Sequence, residues 1–424
     1  MRLITGLGRA TMGVVSYLDL IGCDYGVYDD DEKKVGDLKG RFVNSLDGVD
    51  EIITSPGFSS DHPLIKKAIA RGLPIIDEIE FSYQRIDGQI IAITGTNGKS
   101  TTTALIGNIL KRVKRTFIGG NIAPGIPYSH ALLDPPYDYY VLEVSSFQLE
   151  RIKTFCPLIA ILTNVSADHL NRHISFDDYV NTKFRIFENQ SHSDHAVLNH
   201  DDQNIGERVS QIRATKHFFS LKTECEATVR NEKIIVNGEE IMEIDDIPIR
   251  GKHNHANVLS AVLAASLLGL KGEQLREGIV SFTGLPFRME RVGEKDGVTF
   301  INNSMCTNPL AAIASLSSLT TPYVVILGGK EKGITEDDYP LYVAKNSKFA
   351  VIIGSNRDRI CEKFRSSGFD QFVVADSMGG AVRVAFDHAQ PGWSVILNPG
   401  YASFGMFKDF EDRGRSFNDA VATL

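Results

Sequence analysis

Gln89-Ile90-Ile91-Ala92-Ile93-Thr94-Gly95-Thr96-Asn97-Gly98-Lys99-Ser100-Thr101 is the stretch that decides the fold class. Its opening residues form an apolar run of strand length, and a strand apolar on both faces belongs inside a parallel sheet. Gly95 and Gly98 then supply a turn whose backbone N–H groups can face phosphate oxygens. Lys99 adds a positive charge and Ser100 a hydroxyl suited to magnesium. A helix is expected over about 100–113. The common written form of such a loop has glycine at position 93, where Ile93 stands. The buried strand ahead of the turn carries the nucleotide-binding reading instead, against an ordinary strand-to-helix turn that happens to contain Gly-Lys-Ser.

Outward from this loop the same grammar repeats. Upstream, a short strand breaks at Gly6-Leu7-Gly8 and a helix-spaced run follows from Gly13, then come strands ending at Val27-Tyr28 and at Ile53-Thr54. Downstream, strands are expected over 139–144, 158–163 and 195–199, short strands and turns over 218–249, and a helix over 257–268. Beyond Pro286, the apolar runs 324–327, 349–353 and 395–397 alternate with helical segments. The expected architecture is α/β in three domains: Rossmann-like over 1–87, a central P-loop ATPase-like parallel sheet over 88–285, and a Rossmann-like α/β domain over 286–424. A length of 424 residues suits several cores rather than one.

Composition narrows the partners. The chain has 45 basic and 53 acidic residues, net −8, which argues against nucleic acid or an anionic membrane as a general partner. Five cysteines are scattered without C-x-x-C spacing, so neither a zinc site nor a disulfide framework is expected. Met1-Arg2-Leu3-Ile4-Thr5-Gly6 enters structure at once with no apolar targeting segment, so a cytoplasmic protein without stable membrane association is expected; a monomer is expected separately, with nothing in the sequence that fixes the oligomeric state.

Several side chains sit where open α/β sheets deliver chemistry. Glu143 ends an apolar strand and suits a magnesium ligand. Asp168-His169 follows the next strand in a like position, and Lys183 lies in a helix-like stretch among charged neighbours; each alone reads as solvated surface. Gly6-Leu7-Gly8 with Asp29 downstream has the wrong spacing for a dinucleotide fingerprint. It reads equally as a structural turn or as a seat for a nucleotide-sugar diphosphate.

Taken in order, the motifs resemble the Mur ligases, which extend peptides on cell-wall precursors, and within them the glutamate-adding branch. The phosphate loop from Ile93 to Thr101 is similar to the family's ATP loop. Gly119-Gly120-Asn121-Ile122, Leu142-Glu143-Val144-Ser145-Ser146-Phe147-Gln148, Asn164-Val165-Ser166-Ala167-Asp168-His169 and Lys183 continue the resemblance. So do Gly251-Lys252-His253-Asn254-His255-Ala256-Asn257, Gly284-Leu285-Pro286-Phe287-Arg288, Leu327-Gly328-Gly329-Lys330-Glu331-Lys332 and Ala402-Ser403-Phe404 through Phe410. They span essentially the whole chain.

What the resemblance implies is a ligase that uses ATP and Mg²⁺ to activate a carboxylate as an acyl phosphate, which the amine of an amino acid then attacks. The partners implied are a UDP-sugar peptide precursor and free glutamate. Lys99 would hold the transferring phosphate, with Gly95, Thr96, Asn97, Gly98, Ser100 and Thr101 around it. Ser100 and Glu143 would hold one Mg²⁺, and His169 and Lys183, the latter as a carbamate, a second. Asn254, Asn257, Arg288 and Asn303 would face the adenine nucleotide. Gly8, Thr11, Asp29 and Ser55 would face the uridine end of the precursor, Asn121 and Ser145 its muramoyl end. Thr307, Lys332, Ser403, Phe404 and Phe410 would hold the glutamate. Four departures stand out: Asn303 where the family has an acid, Met305 where it has lysine, Phe287 where it has histidine, and Asp30-Asp31 after Asp29 where it has an arginine near uracil. These motivate a rival that keeps the reaction but adds L-glutamate or another amino acid, or uses a pseudomurein precursor. A nicotinamide dehydrogenase leaves the Lys99 loop without purpose, and a dead scaffold leaves Lys99, Glu143, His169 and Lys183 without one. Domain closure over ATP is expected.

Overall fold

The computed structural model describes residues 1–166, 172–249, 251–331 and 338–424. Two compact units divide the chain, 1–283 and 284–424. The first holds two sheets. A four-stranded parallel sheet has the order Tyr25–Tyr28, Arg2–Thr5, Glu51–Thr54, Ile75–Asp77. A nine-stranded sheet is parallel from Thr116–Gly120 at one edge through Tyr139–Glu143, Gln89–Thr94, Ile159–Leu162, His195–Asn199 and Thr215–Ser220 to Ala227–Arg230. Lys233–Val236 and Glu239–Glu243 then close the other edge antiparallel.

Gln89–Thr94 lies mid-sheet because it is apolar on both faces. Ile91 and Ile93 join one core with Leu105, Ile109, Val258 and Val262, and Ile90 and Ala92 join the opposite core with Tyr140, Leu142 and Leu162. The two sheets of this unit are stitched by buried polar contacts. The Glu80 carboxylate accepts the backbone N–H groups of Lys153 (2.8 Å), Thr154 (2.9 Å) and Phe155 (3.0 Å), and Ser129 Oγ donates to the Ala10 carbonyl (2.7 Å). The expected break at 87/88 therefore separates two sheets within one compact unit. The expected break at 285/286 compares with the one at 283/284.

The second unit is a six-stranded sheet, Glu290–Lys295, Val298–Asn302, Ser394–Leu397, Tyr323–Leu327, Phe349–Ile352, Phe372–Val374, with only the first strand antiparallel. Apolar clusters cover both its faces. Two helices differ from expectation. The helix after the phosphate loop runs Lys99–Leu110 and stops before the run of charges at 111–115, and the later helix starts early, Lys252–Leu267, at the left-handed turn of Gly251. Among the described residues no helix is long and apolar enough to cross a membrane.

Candidate active site

Gln89–Thr94 is flanked by Tyr139–Glu143 on one side and Ile159–Leu162 on the other, so the chain diverges at its C-terminal end. Such a divergence opens a crevice in a parallel sheet, and the glycine loop sits in it. Gly95 has φ +144° and Gly98 φ +84°. A Cβ on Gly95 would lie 2.0 Å from Thr163 Oγ1, and one on Gly98 2.2 Å from Asn257 Oδ1, so both positions require glycine twice over. The strand simply runs on through Ile93, which is why no glycine is needed there.

The next strand end braces the loop from behind. Asn164 Oδ1 accepts Asn97 N–H (2.9 Å), its Nδ2 donates to the Asn97 carbonyl (2.9 Å), and Thr163 Oγ1 donates to the same carbonyl (2.7 Å). Thr96 N–H donates to the Asn164 carbonyl, and Thr96 Oγ1 lies 3.2 Å from Tyr179 Oη. Asn164 opens one of the motifs that carry the resemblance, but its bracing role, like that of Thr163 and Tyr179, shows only once the two strands pair.

Lys99 Nζ folds back on the carbonyls of Gly95 (3.0 Å) and Thr96 (2.8 Å). Lys183, expected from its neighbours alone to be solvated, is buried instead. Its Nζ donates to the same Gly95 carbonyl (2.7 Å) and lies 4.5 Å from the Tyr179 ring centroid. Two ammonium groups thus converge on one loop, a pull toward anionic ligands. Glu143 is 3 % exposed at the end of its strand; Oε1 accepts Asn121 Nδ2 at 3.4 Å, while Oε2 is buried with no hydrogen-bond partner among the described residues. A buried carboxylate oxygen without a donor is the kind of group that a hard cation satisfies. Ser100 is also buried, in the first turn of the adjoining helix. Among the described residues there is no cluster of three His, Cys, Asp or Glu, so a cation here would lean on hydroxyl, phosphate and water as well. His169 lies outside the described residues, as does Lys332.

Beside the loop a cavity of about 350 Å³ is lined by Asn97, Gly98, Asn164, Phe219, His253 and Asn257 among others. Asn257 Nδ2 donates to Asn254 Oδ1 (3.1 Å), which brings the two expected nucleotide-contacting amides together at its rim. Asn121 follows the glycine pair on the neighbouring strand, with its N–H on the Glu143 carbonyl (2.8 Å). Ser145 caps the short helix Ser146–Leu149, its hydroxyl and N–H both engaged with Gln148.

In the four-stranded sheet the turn residues expected at the uridine end do come together. Asp29 Oδ2 accepts Leu7 N–H (2.6 Å), and Thr11 Oγ1 donates to the Gly6 carbonyl and accepts Gly8 N–H. Ser55 N–H donates to the Thr5 carbonyl. Asp29 is 6 % exposed and spends both carboxylate oxygens on backbone, holding the glycine turn in shape. An aromatic group that sequence reading missed stands alongside: Tyr28, Phe42, Phe58 and His62, with ring centroids 4.7 to 6.2 Å apart, and His62 Nε2 3.1 Å from Asp30 Oδ1.

In the second unit the strand ends at Asn302, Leu397 and Leu327 are neighbours, and the loops after them carry Thr307, Ser403 and Lys330. Ser403 is buried, Phe404 is exposed, and Phe410 opens the helix Phe410–Ala422. Asn303 is spent inside the unit. It accepts Met289 N–H and donates to Ser315 Oγ (3.0 Å) and Asn398 Oδ1 (2.8 Å), so its side chain serves the loop's packing. Phe287 takes a left-handed backbone, φ +61°, and its ring packs on Gly414, where a Cβ would come within 2.3 Å. Arg288 is exposed, with its Nε 3.0 Å from Met305 Sδ.

Residues 93–265 match the Mur ligase middle domain and 287–400 the Mur ligase glutamate ligase domain. The UDP-N-acetylmuramoylalanine--D-glutamate ligase of Caldanaerobacter subterraneus subsp. tengcongensis is 38% identical over 400 residues, covering 93% of this chain and 88% of the relative. The enzyme of the same name from Thermoanaerobacter pseudethanolicus is 35% identical over 446 residues, covering 100% and 98%. In fold, the chain is similar to the UDP-N-acetylmuramate-alanine ligase MurC of Thermotoga maritima, with a TM-score of 0.62 at 18% identity, covering 100% and 99%. A pseudomurein peptide ligase type C from Methanothermus fervidus gives 0.57 at 19% identity over the same shares. With the phosphate loop, its buried lysine partner and the lone carboxylate already in place, these matches along the full length show that the chain belongs to the Mur ligase family.

Proposed function

We propose that this chain adds D-glutamate to UDP-N-acetylmuramoyl-L-alanine at the expense of ATP. The observation that carries the reading is the convergence of Lys99 and Lys183 on the Gly95 carbonyl, with Glu143, whose buried Oε2 has no donor among the described residues, ending the adjoining strand. The relatives named for that reaction support the choice of substrates.

A free carboxylate is a poor electrophile, because expelling oxide from it is prohibitive. Transfer of the ATP γ-phosphoryl group to the precursor's carboxylate oxygen gives an acyl phosphate and ADP. The glutamate amine, once deprotonated, attacks the acyl carbon, and phosphate leaves with the C–O bonding pair as the amide forms. Lys99 sits where backbone N–H groups and its own ammonium can hold the phosphate that moves. Ser100 and Glu143 would hold one Mg²⁺, and Lys183 as a carbamate, with His169, a second; Mg²⁺ bound there would offset phosphate charge. Asn254, Asn257 and Arg288 would face the nucleotide. Gly8, Thr11 and Ser55 would hold the uridine diphosphate end, and Asn121 the muramoyl end. Thr307, Ser403, Phe404, Phe410 and Lys332 would hold glutamate.

The test is phosphate release by purified protein given ATP, Mg²⁺, UDP-muramoyl-alanine and one glutamate enantiomer at a time. Turnover with D-glutamate alone is expected. Turnover with L-glutamate alone would move the chain to the rival reading, and no turnover with D-glutamate would sink the first.

A further inference from the structure

Arg413 is fully buried, and it is one of the largest side chains in the chain to be so. Its hydrogen bonds all go to neutral oxygens. Nε donates to Ser304 Oγ (3.1 Å), Nη2 to the Ser304 carbonyl (2.8 Å) and Nη1 to the Tyr401 carbonyl (3.0 Å). No carboxylate among the described residues pairs with it. Burying an unpaired charge is costly, and a protein keeps one where a ligand's opposite charge completes it or where its geometry is indispensable. Burial lowers the guanidinium to about 10, so it stays charged at neutral pH.

The partners of that fork are informative. Ser304 lies three residues before Thr307 and Tyr401 two before Ser403, and Ser304 Oγ donates a hydrogen bond to the Phe410 carbonyl (2.7 Å). Gly400 N–H donates to the Cys306 carbonyl (3.1 Å) and joins the same two loops. Every described segment expected to hold the amino acid is thus tied to one guanidinium, directly or through Ser304.

We propose that Arg413 is the positioning residue of the amino-acid seat. It fixes the loops of Thr307 and Ser403 and the helix start at Phe410 in register, and it gives that seat a permanent positive charge matched to an acidic amino acid. The inference rests on the ligase reading above. A lysine keeps the charge but cannot reach three oxygens in a plane, so Arg413→Lys and Arg413→Met separate fork from charge.

The experiment is steady-state kinetics of the full chain with each substrate varied in turn, wild type alongside. In Arg413→Lys the KM for D-glutamate should rise about tenfold, and further in Arg413→Met, with the KM for ATP and for the UDP precursor within about twofold of wild type. Ser304→Ala, which keeps the guanidinium and removes one of its acceptors together with the tie to the Phe410 carbonyl, should raise the glutamate KM about threefold and serves if the arginine variants do not fold. An unchanged glutamate KM in folded Ser304→Ala, or a parallel rise for all three substrates, would overturn the proposal. An inactive wild type would instead overturn the ligase reading itself.

Discussion

Lys183 donates 2.7 Å to a loop carbonyl from a site that is 2 % exposed, a poor place for an ammonium without function. Lys99→Ala and Lys183→Ala should each cut turnover at least about a hundredfold while leaving the melting transition cooperative. Near-wild-type rates in either would refute the roles given to them, and rescue of Lys183→Ala by short carboxylic acids would single out the carbamate. Glu78 makes a different prediction. It is fully buried between the two sheets of the first unit, takes Ser129 N–H, and burial pushes its carboxyl up from 4.5 to about 7. The folded state therefore holds this proton longer than the unfolded chain does. Its contribution to stability is full below about pH 4.5 and declines as pH rises toward 7, by on the order of 3 kcal/mol in all. Glu78→Gln, which keeps the acceptor for Ser129, should flatten that decline in thermal melts between pH 5 and 8. A melting profile with the same slope in the variant would show that Glu78 is not the titrating group.

At the scale of the element, the phosphate loop is a glycine turn braced by a foreign strand end. Gly98→Ala adds a Cβ both to a left-handed backbone and to the space of Asn257 Oδ1, so nucleotide affinity should fall about tenfold or more, read by titration with a fluorescent ATP analogue. Retained affinity would mean the loop rearranges freely. The loop itself was legible in the sequence, because a turn, a strand and a helix start are local facts. Glu143 was legible for the same reason: it ends an apolar run. The bracing role of Thr163, Asn164 and Tyr179 was not, even though Asn164 opens a recognised motif, since that role exists only once Gln89–Thr94 and Ile159–Leu162 pair. Lys183 misled by its neighbours, because Asp177, Asp178 and Glu188 flank it in sequence while the lysine itself points inward. The roles of Asp29 and Asn303 were obscured in the opposite way. Each has ligand-like chemistry, yet Asp29 also holds the N–H groups of Leu7 and Asp31, and Asn303 also holds Ser315 and Asn398.

At the scale of the whole molecule, the sheets were readable as α/β units, yet the first two belong to one compact body. The reason is that Glu78, Glu80 and Arg151 are buried acids and a cation whose partners lie on the neighbouring sheet, a pairing no local pattern announces. A fragment spanning 1–283 should accordingly melt as one cooperative body and still bind ATP, and 284–424 should fold separately; two transitions within 1–283 by calorimetry would contradict the first expectation. The order of strands in the second unit has a further consequence. Ser394–Leu397 is hydrogen-bonded between Val298–Asn302 and Tyr323–Leu327, although it is the last strand to be synthesised. Until it leaves the ribosome, the edges of Val298–Asn302 and Tyr323–Leu327 that it will join keep their backbone N–H and C=O groups unpaired. The nascent protein must carry those unpaired edges through roughly seventy residues of further translation, several seconds at cellular rates. A chaperone that holds unpaired strands would find its longest-lived target there.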